Sequence, residues 1–197
     1  MVGLWAVPML MDMYGIARAE ASLYPSVAIV AFALASLGLG ALSDYMRRRK
    51  PVLVAACFAS IFLWLALLFL PWAPGPSALA LFALLGITAG GFIVTFGAAK
   101  EVVPPAVAGV GIAVVNTGSF LGAAVIQPLF GLLLDASWDG TVVDGVRVYQ
   151  ADDYASGLWL CFGTAVLAAV ASLYVRETYC RNITLQSAAS ADRWTRN

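Results

Sequence analysis

The chain has 197 residues, of which 62% are hydrophobic and 11% charged, and its mean hydropathy is +0.89. Soluble domains carry about 25% charged residues, so a soluble core is excluded and a bilayer is the fitting solvent. Lys plus Arg equal Asp plus Glu at 11 each, which leaves no bulk charge to hold a nucleic acid, and histidine is absent, which removes the commonest metal ligand and the usual base for a Ser or Cys nucleophile.

In chain order, residues 1–14 open with an apolar stretch that meets Asp12. A helix over it would be about 21 Å long at ~1.5 Å per residue, short of the ~30 Å hydrocarbon layer. It reads as a first helix clipped at its start. Five longer apolar runs follow, over residues 22–43, 52–72, 78–99, 104–134 and 155–175. Each meets the requirement of about 20 residues for a membrane crossing. The connections are a short loop at 15–21, a basic loop at 44–51 and a Pro-Gly turn at 71–77. A charged loop spans 100–103, and a loop with five aspartates spans 135–154. Residues 1–176 therefore read as one six-helix membrane domain. Residues 177–197 read as a loose polar tail.

With six crossings, Arg47, Arg48, Arg49, Lys50, Lys100, Arg176, Arg181, Arg193 and Arg196 fall on one side, and Arg18 and Arg147 on the other. The positive-inside rule makes the first side cytoplasmic and places both termini there. The membrane is read as a plasma membrane, a bacterial inner membrane by preference. Asn182 and Thr184 spell a glycosylation sequon on the side where no glycosylation is expected. Cys57, Cys161 and Cys180 show neither metal-ligand spacing nor a disulfide framework. Cys180 reads as an idle thiol in preference to a palmitoylation site. No metal or cofactor is expected.

Residues 40–50 read G-A-L-S-D-Y-M-R-R-R-K. Gly40, Leu42, Ser43, Asp44, Arg48 and Arg49 match the pattern G-x-L-[AS]-D-[RK]-x-G-R-[RK]. Tyr45 replaces its usual basic residue and Arg47 its second glycine. The stretch resembles the signature loop between the second and third helices of each half of a major facilitator superfamily transporter, and it occupies that place among the runs. Gly3 to Pro8 with Tyr14 to Ala21, and Gly118 to Ala124 with Gln127 to Asp135, are similar to the seventh and eleventh helices of bacterial members. The resemblance covers residues 3 to about 176. It implies an all-α polytopic fold, the C-terminal half of a twelve-helix carrier. It also implies a gating loop of Gly40, Leu42, Asp44, Arg48 and Arg49 that latches the outward-open state. Gly40 would let two helices approach closely, and the arginines would reach the Asp44 carboxylate. The bland alternative is a basic anchor for topology.

Glycine pairs four apart, Gly86 with Gly90 and Gly118 with Gly122, point to tight helix packing. Asn116 and Gln127 are 11 residues apart, close to three helical turns, so they share a face. They serve interhelical hydrogen bonding or line a solute cavity. In the family the first and fourth helices of each half line the path, which makes Trp5, Met9, Thr88 and Thr95 path residues by resemblance. Asp12 is the only acid expected near a helix interior, with a coupling or gating role in view.

The expected function is transport of a small solute by alternating access. The expected partners are the solute, the bilayer and an N-terminal six-helix half, joined covalently or supplied as a separate chain. The rival is a non-transporting assembly protein or an inactive truncated product. An enzyme is not expected: a six-helix Ser/His protease needs histidine, and a di-aspartyl protease needs a second buried aspartate. The paired Asn-Pro-Ala half-helices of an aquaporin-like channel are also missing. The sequence leaves the substrate and the coupling ion open.

Overall fold

A computed structural model describes residues 3–143 and 145–185. The short first helix is α1 (Ala6–Tyr14), followed by a single turn, α2 (Arg18–Ala21). Three long segments come next: α3 (Leu23–Met46), α4 (Lys50–Phe69), and α5 (Pro76–Gly90) continued by α6 (Ile93–Glu101). A 3-10 turn (Pro105–Val107) leads into α7 (Ala108–Ser137), and α8 (Ala151–Tyr174) closes the chain. Five of these segments are long and apolar enough to cross a membrane. The molecule is an all-α polytopic bundle.

Local chemistry sets the boundaries. Gly15, at φ 63°, takes the left-handed conformation that ends α1, and its N–H caps the Met11 carbonyl at 2.9 Å. Pro76 opens α5, where a missing N–H costs nothing. The Pro-Gly turn before it is held by two tyrosines. Tyr14 donates to the Trp72 carbonyl at 2.5 Å, and the Tyr24 hydroxyl accepts from the Gly75 N–H at 2.8 Å. At the start of α8 the Gln150 N–H donates to Asp153 Oδ2 at 2.8 Å in a reciprocal capping box.

Several connections differ from expectation. The loop at 15–21 contains the turn α2, and the charged residues Lys100 and Glu101 belong to α6. The run 78–99 is broken in two. Between α5 and α6 the N–H groups of Gly91, Phe92, Val94 and Thr95 reach back three residues instead of four. Adjacent glycines favour such a break. A Cβ at Gly90 would lie 2.8 Å from the Ala35 Cβ on α3, and one at Gly91 would lie 2.5 Å from the Ala56 Cβ on α4. Two neighbours thus press on the break from two sides. The aspartate-rich loop is shorter than its sequence, because α7 runs to Ser137 and α8 begins at Ala151. A two-residue antiparallel pair, β1 (Val142–Val143) and β2 (Val146–Arg147), lies between them.

Packing is uneven. The α3 and α5 helices make the most extensive contact, and α4 packs on α8. Gly86 explains the first: a Cβ there would lie 2.1 Å from the Ala28 carbonyl oxygen. The largest core cluster joins Met9 and Leu10 of α1, Tyr24 of α3, Phe82 of α5, Phe130 of α7 and Tyr154 of α8. Gly157 gives the Phe130 ring its room. The α7 helix buries fully only Phe130 and Leu134. Neither Gly118 nor Gly122 has anything within 4 Å of an added Cβ. Their small faces look outward, whereas Gly86 and Gly90 are used inside the bundle.

Candidate gating cluster

Helix α3 ends in a Schellman motif. The Arg48 N–H reaches the Ser43 carbonyl and the Arg47 N–H reaches the Asp44 carbonyl, both at 3.1 Å. Such a motif needs a left-handed residue at its turn, and Arg47 supplies it at φ 50°, ψ 37°. The turn that the family pattern builds with glycine is therefore built with arginine, at a cost of about 1 kcal/mol. The motif turns the chain so that Arg49, two residues on, points back into the bundle.

Arg49 is 8% exposed and is held on three sides. Its Nη2 lies 2.7 Å from Glu101 Oε1, and its Nε lies 3.2 Å from the same oxygen. Its Nη1 donates to Asp44 Oδ1 at 2.6 Å and to the Ser43 hydroxyl at 3.1 Å. That hydroxyl in turn donates to the Arg48 carbonyl at 3.1 Å. Burial works against the guanidinium charge, but the bonds to Glu101 and Asp44 outweigh it and raise the Arg49 pKa further above its ordinary value. Gly97 on α6 makes the space, since a Cβ there would lie 3.1 Å from the Arg49 Cζ.

The segment after α8 completes the cluster. Glu177 Oε1 accepts from the N–H groups of Arg49 (2.9 Å), Thr178 and Tyr179 (both 3.1 Å), and its Oε2 accepts from the Lys50 N–H at 3.1 Å. Burial alone would raise the Glu177 pKa, but these four amides hold it below its ordinary value. The carboxylate sits at the N-terminus of α4, where the helix dipole favours an anion. The buried Thr178 hydroxyl donates to Glu101 Oε2. Asn182 donates to the carbonyls of Lys100 and Val103, at 3.2 and 2.7 Å. Lys50 Nζ caps α8 at the Leu173 carbonyl, 2.6 Å away. Residues 176–185 are therefore docked, not loose. Arg193 and Arg196 lie outside the described residues.

The signature-loop residues play unequal parts. Asp44 and Arg49 are in the cluster. Arg48 is exposed, 5.8 Å from the centre of the Tyr179 ring, and does not reach Asp44. Leu42 is 44% exposed. Gly40 is not a point of close approach, because an added Cβ would stand 3.6 Å from Ile93, an ordinary contact. Glu101, 6% exposed, is the main counter-ion of Arg49 and was not read from the sequence. Two further acids, Glu101 at the end of α6 and Asp153 in the first turn of α8, are buried. The available signal was the Lys100-Glu101 pair closing an apolar run, which reads equally well as a solvated loop.

The path residues do not converge. Thr88 and Thr95 line a cavity of about 630 Å³ bounded by α4, the α5–α6 break and α8. Their hydroxyls bond back to the carbonyls of Leu85 and Phe92, at 3.0 and 2.6 Å. Met9 is fully buried in the core. Trp5 stacks on Phe130 at 5.3 Å and donates to the Gln127 carbonyl at 3.3 Å, filling the contact between α1 and α7. The side-chain Oε1 of Gln127 is sealed without a hydrogen-bond partner. Asn116 lies exposed on α7. At the opposite end of the bundle, Asp12 accepts from the Tyr154 hydroxyl at 2.6 Å. Beside it Asp135 accepts from Arg147 at 3.0 Å and from Tyr149 at 2.6 Å.

A buried ion pair thus ties the ends of α3 and α6 together through a loop of this pattern. The sequence matches none of the curated proteins compared with it. The family model described as Major Facilitator Superfamily matches residues 1–189, nearly the whole chain, and so the chain belongs to the major facilitator superfamily of membrane transporters.

Proposed function

We propose that the chain acts as the C-terminal six-helix half of a carrier that moves a small solute by alternating access. The observation that carries this reading is the Arg49 cluster. One buried guanidinium joins the end of α3 through Asp44 to the end of α6 through Glu101. Glu177 and Thr178 then tie in the start of α4 and the chain beyond α8. Four helix ends are locked into one body, which is what a rocking half requires. The Asp44 side chain is 66% exposed. Its carboxylate keeps acceptor capacity for a helix end of the other half, closing the path on this side.

The open face of α7 is the surface that the other half covers. Gly118 and Gly122 offer a close approach there, and Asn116 offers an amide that lipid would not satisfy. Of the path residues, Asn116 lies on that open face and would meet solute only in the assembled state, whereas Met9 is sealed in the core, Trp5 fills the contact with α7 near Gln127, and Thr88 and Thr95 line the cavity beside α4 and α8. Asp12 remains the acid for a coupling or gating role. The basic end, with Arg47 to Lys50, Lys100, Arg176 and Arg181, faces the cytoplasm by the positive-inside rule, in a plasma membrane.

The test is solute flux in vesicles reconstituted with this chain, with and without an N-terminal six-helix half from the same source. Flux only with both halves is expected. A product of this size in source membranes that associates with no other half and moves no solute would instead establish the non-transporting reading.

A further inference from the structure

A second group of charges at the basic end takes no part in the Arg49 cluster. Arg47 and Arg48, just past α3, face Arg176 and Arg181, beyond α8, across a cleft of about 580 Å³. Glu177 is the acid in its wall, and its two oxygens are occupied by the N–H groups of Arg49, Lys50, Thr178 and Tyr179. Ion pairs among the described residues join Arg49 to Asp44 and Glu101, and Arg147 to Asp135. None of the four cleft guanidiniums therefore has a carboxylate partner among those residues. Arg48 lies over the Tyr179 ring instead.

Four like charges in one concavity repel one another. An orientation signal needs arginines on one side of a membrane, but it does not need them gathered round a single cleft. Left-handed backbone is also concentrated at this cleft. Among the described residues, those other than glycine at positive φ are Arg47, Tyr179 and Cys180, at 50°, 53° and 56°. Two of them line the cleft and the third follows directly.

We propose that this cleft binds an oxyanion carrying two negative charges or more, of the phosphoryl kind. A guanidinium fork matches two oxygens of such a group, and several forks together discriminate against a monovalent anion. The same chemistry is offered by an anionic phospholipid headgroup and by a free phosphorylated solute. The site adjoins the Arg49 cluster, sharing Glu177 and Thr178 in its wall, but its four arginines are outside that cluster and it does not depend on whether the chain transports.

The experiment has two arms. In the first, unfolding of the purified chain in non-ionic detergent is followed by circular dichroism with and without inorganic pyrophosphate. In the second, the chain is unfolded in phosphatidylcholine vesicles with and without phosphatidic acid, at constant ionic strength. An upward shift of the midpoint is expected for the wild type and for an Arg147→Gln control. It is expected to vanish in the triple variant Arg47→Gln, Arg176→Gln, Arg181→Gln. A shift with pyrophosphate alone assigns the site to a free phosphate, and a shift with phosphatidic acid alone assigns it to a headgroup. No shift with either probe, or an undiminished shift in the triple variant, overturns the proposal. Should the triple variant fail to fold, Arg181→Gln alone is read, with affinity expected to fall about tenfold; unchanged affinity counts against the site.

Discussion

Arg49 and Glu101 stand 52 residues apart in sequence, yet their charges meet 2.7 Å apart with both side chains below 10% exposure. Taking two charges out of water is costly, and losing one partner strands the other. Replacement of Glu101 by Ala should therefore cost about 3–5 kcal/mol. Replacement of the exposed Asp44 should cost about 1 kcal/mol or less. The double change Arg49→Met with Glu101→Leu should recover most of the loss. Unfolding in detergent measures all three. Equal effects from Asp44 and Glu101 would remove Glu101 as the main counter-ion.

The glycines give a prediction that runs against the sequence pattern. Gly40 belongs to the signature loop, and Gly97 does not. Gly40→Ala meets only Ile93, at 3.6 Å, and should fold normally. Gly97→Ala presses on the Arg49 guanidinium at 3.1 Å and should cost about 1–3 kcal/mol, as overpacking does. Gly86→Ala meets main-chain atoms of Ala28 at 2.1 Å and should prevent accumulation of folded protein. Yield and unfolding midpoint of the three variants, compared side by side, check the ranking.

This ranking also shows where the sequence was legible. Hydropathy located all five long segments, because a bilayer demands apolar runs of fixed length. The break at Gly91 was hidden, since an apolar run looks the same whether or not its helix continues. Gly86 with Gly90 and Gly118 with Gly122 share one spacing, but the first pair packs inside and the second faces outward. Only the tertiary arrangement separates them. Asp44 and Arg49 were found through the loop pattern. Glu101, Thr178 and Glu177 were not, because their roles arise from chain segments that meet only after folding.

Acid should loosen the tie to α4 at a definite place. The folded-state pKa of Glu177 is held below its unfolded value. Its contribution is then fully present above the ordinary carboxylate pKa of about 4.3 and is lost as pH falls through the lower folded value. Stability should be insensitive to Glu177→Gln below that value and reduced by it at neutral pH. Unfolding midpoints of both proteins across pH 3–7 test this, and parallel curves would exclude the coupling.

Arg47 occupies a backbone conformation that glycine adopts without strain. In anion-free buffer, Arg47→Gly should stabilise the chain by about 1 kcal/mol, visible as a higher unfolding midpoint. A loss of stability would mean that the arginine side chain contributes more than its backbone costs.

At the other end of the bundle Asp12 and Tyr154 form a pair that separates a structural role from a coupling role. The Tyr154 ring is fully buried, and its hydroxyl donates to Asp12 at 2.6 Å. Tyr154→Phe keeps the ring and deletes the donor, leaving the carboxylate with one fewer partner, at a cost of about 1–3 kcal/mol. Asp12→Asn keeps an acceptor for the hydroxyl, so its effect on stability should be the smaller of the two. Flux in the assembled carrier gives the opposite order if Asp12 exchanges a proton during the cycle. Asn cannot carry that proton, so Asp12→Asn should abolish any pH dependence of flux, while Tyr154→Phe retains it. Unchanged pH dependence in Asp12→Asn, with stability also intact, would reduce the pair to a hydrogen bond joining α1 to α8.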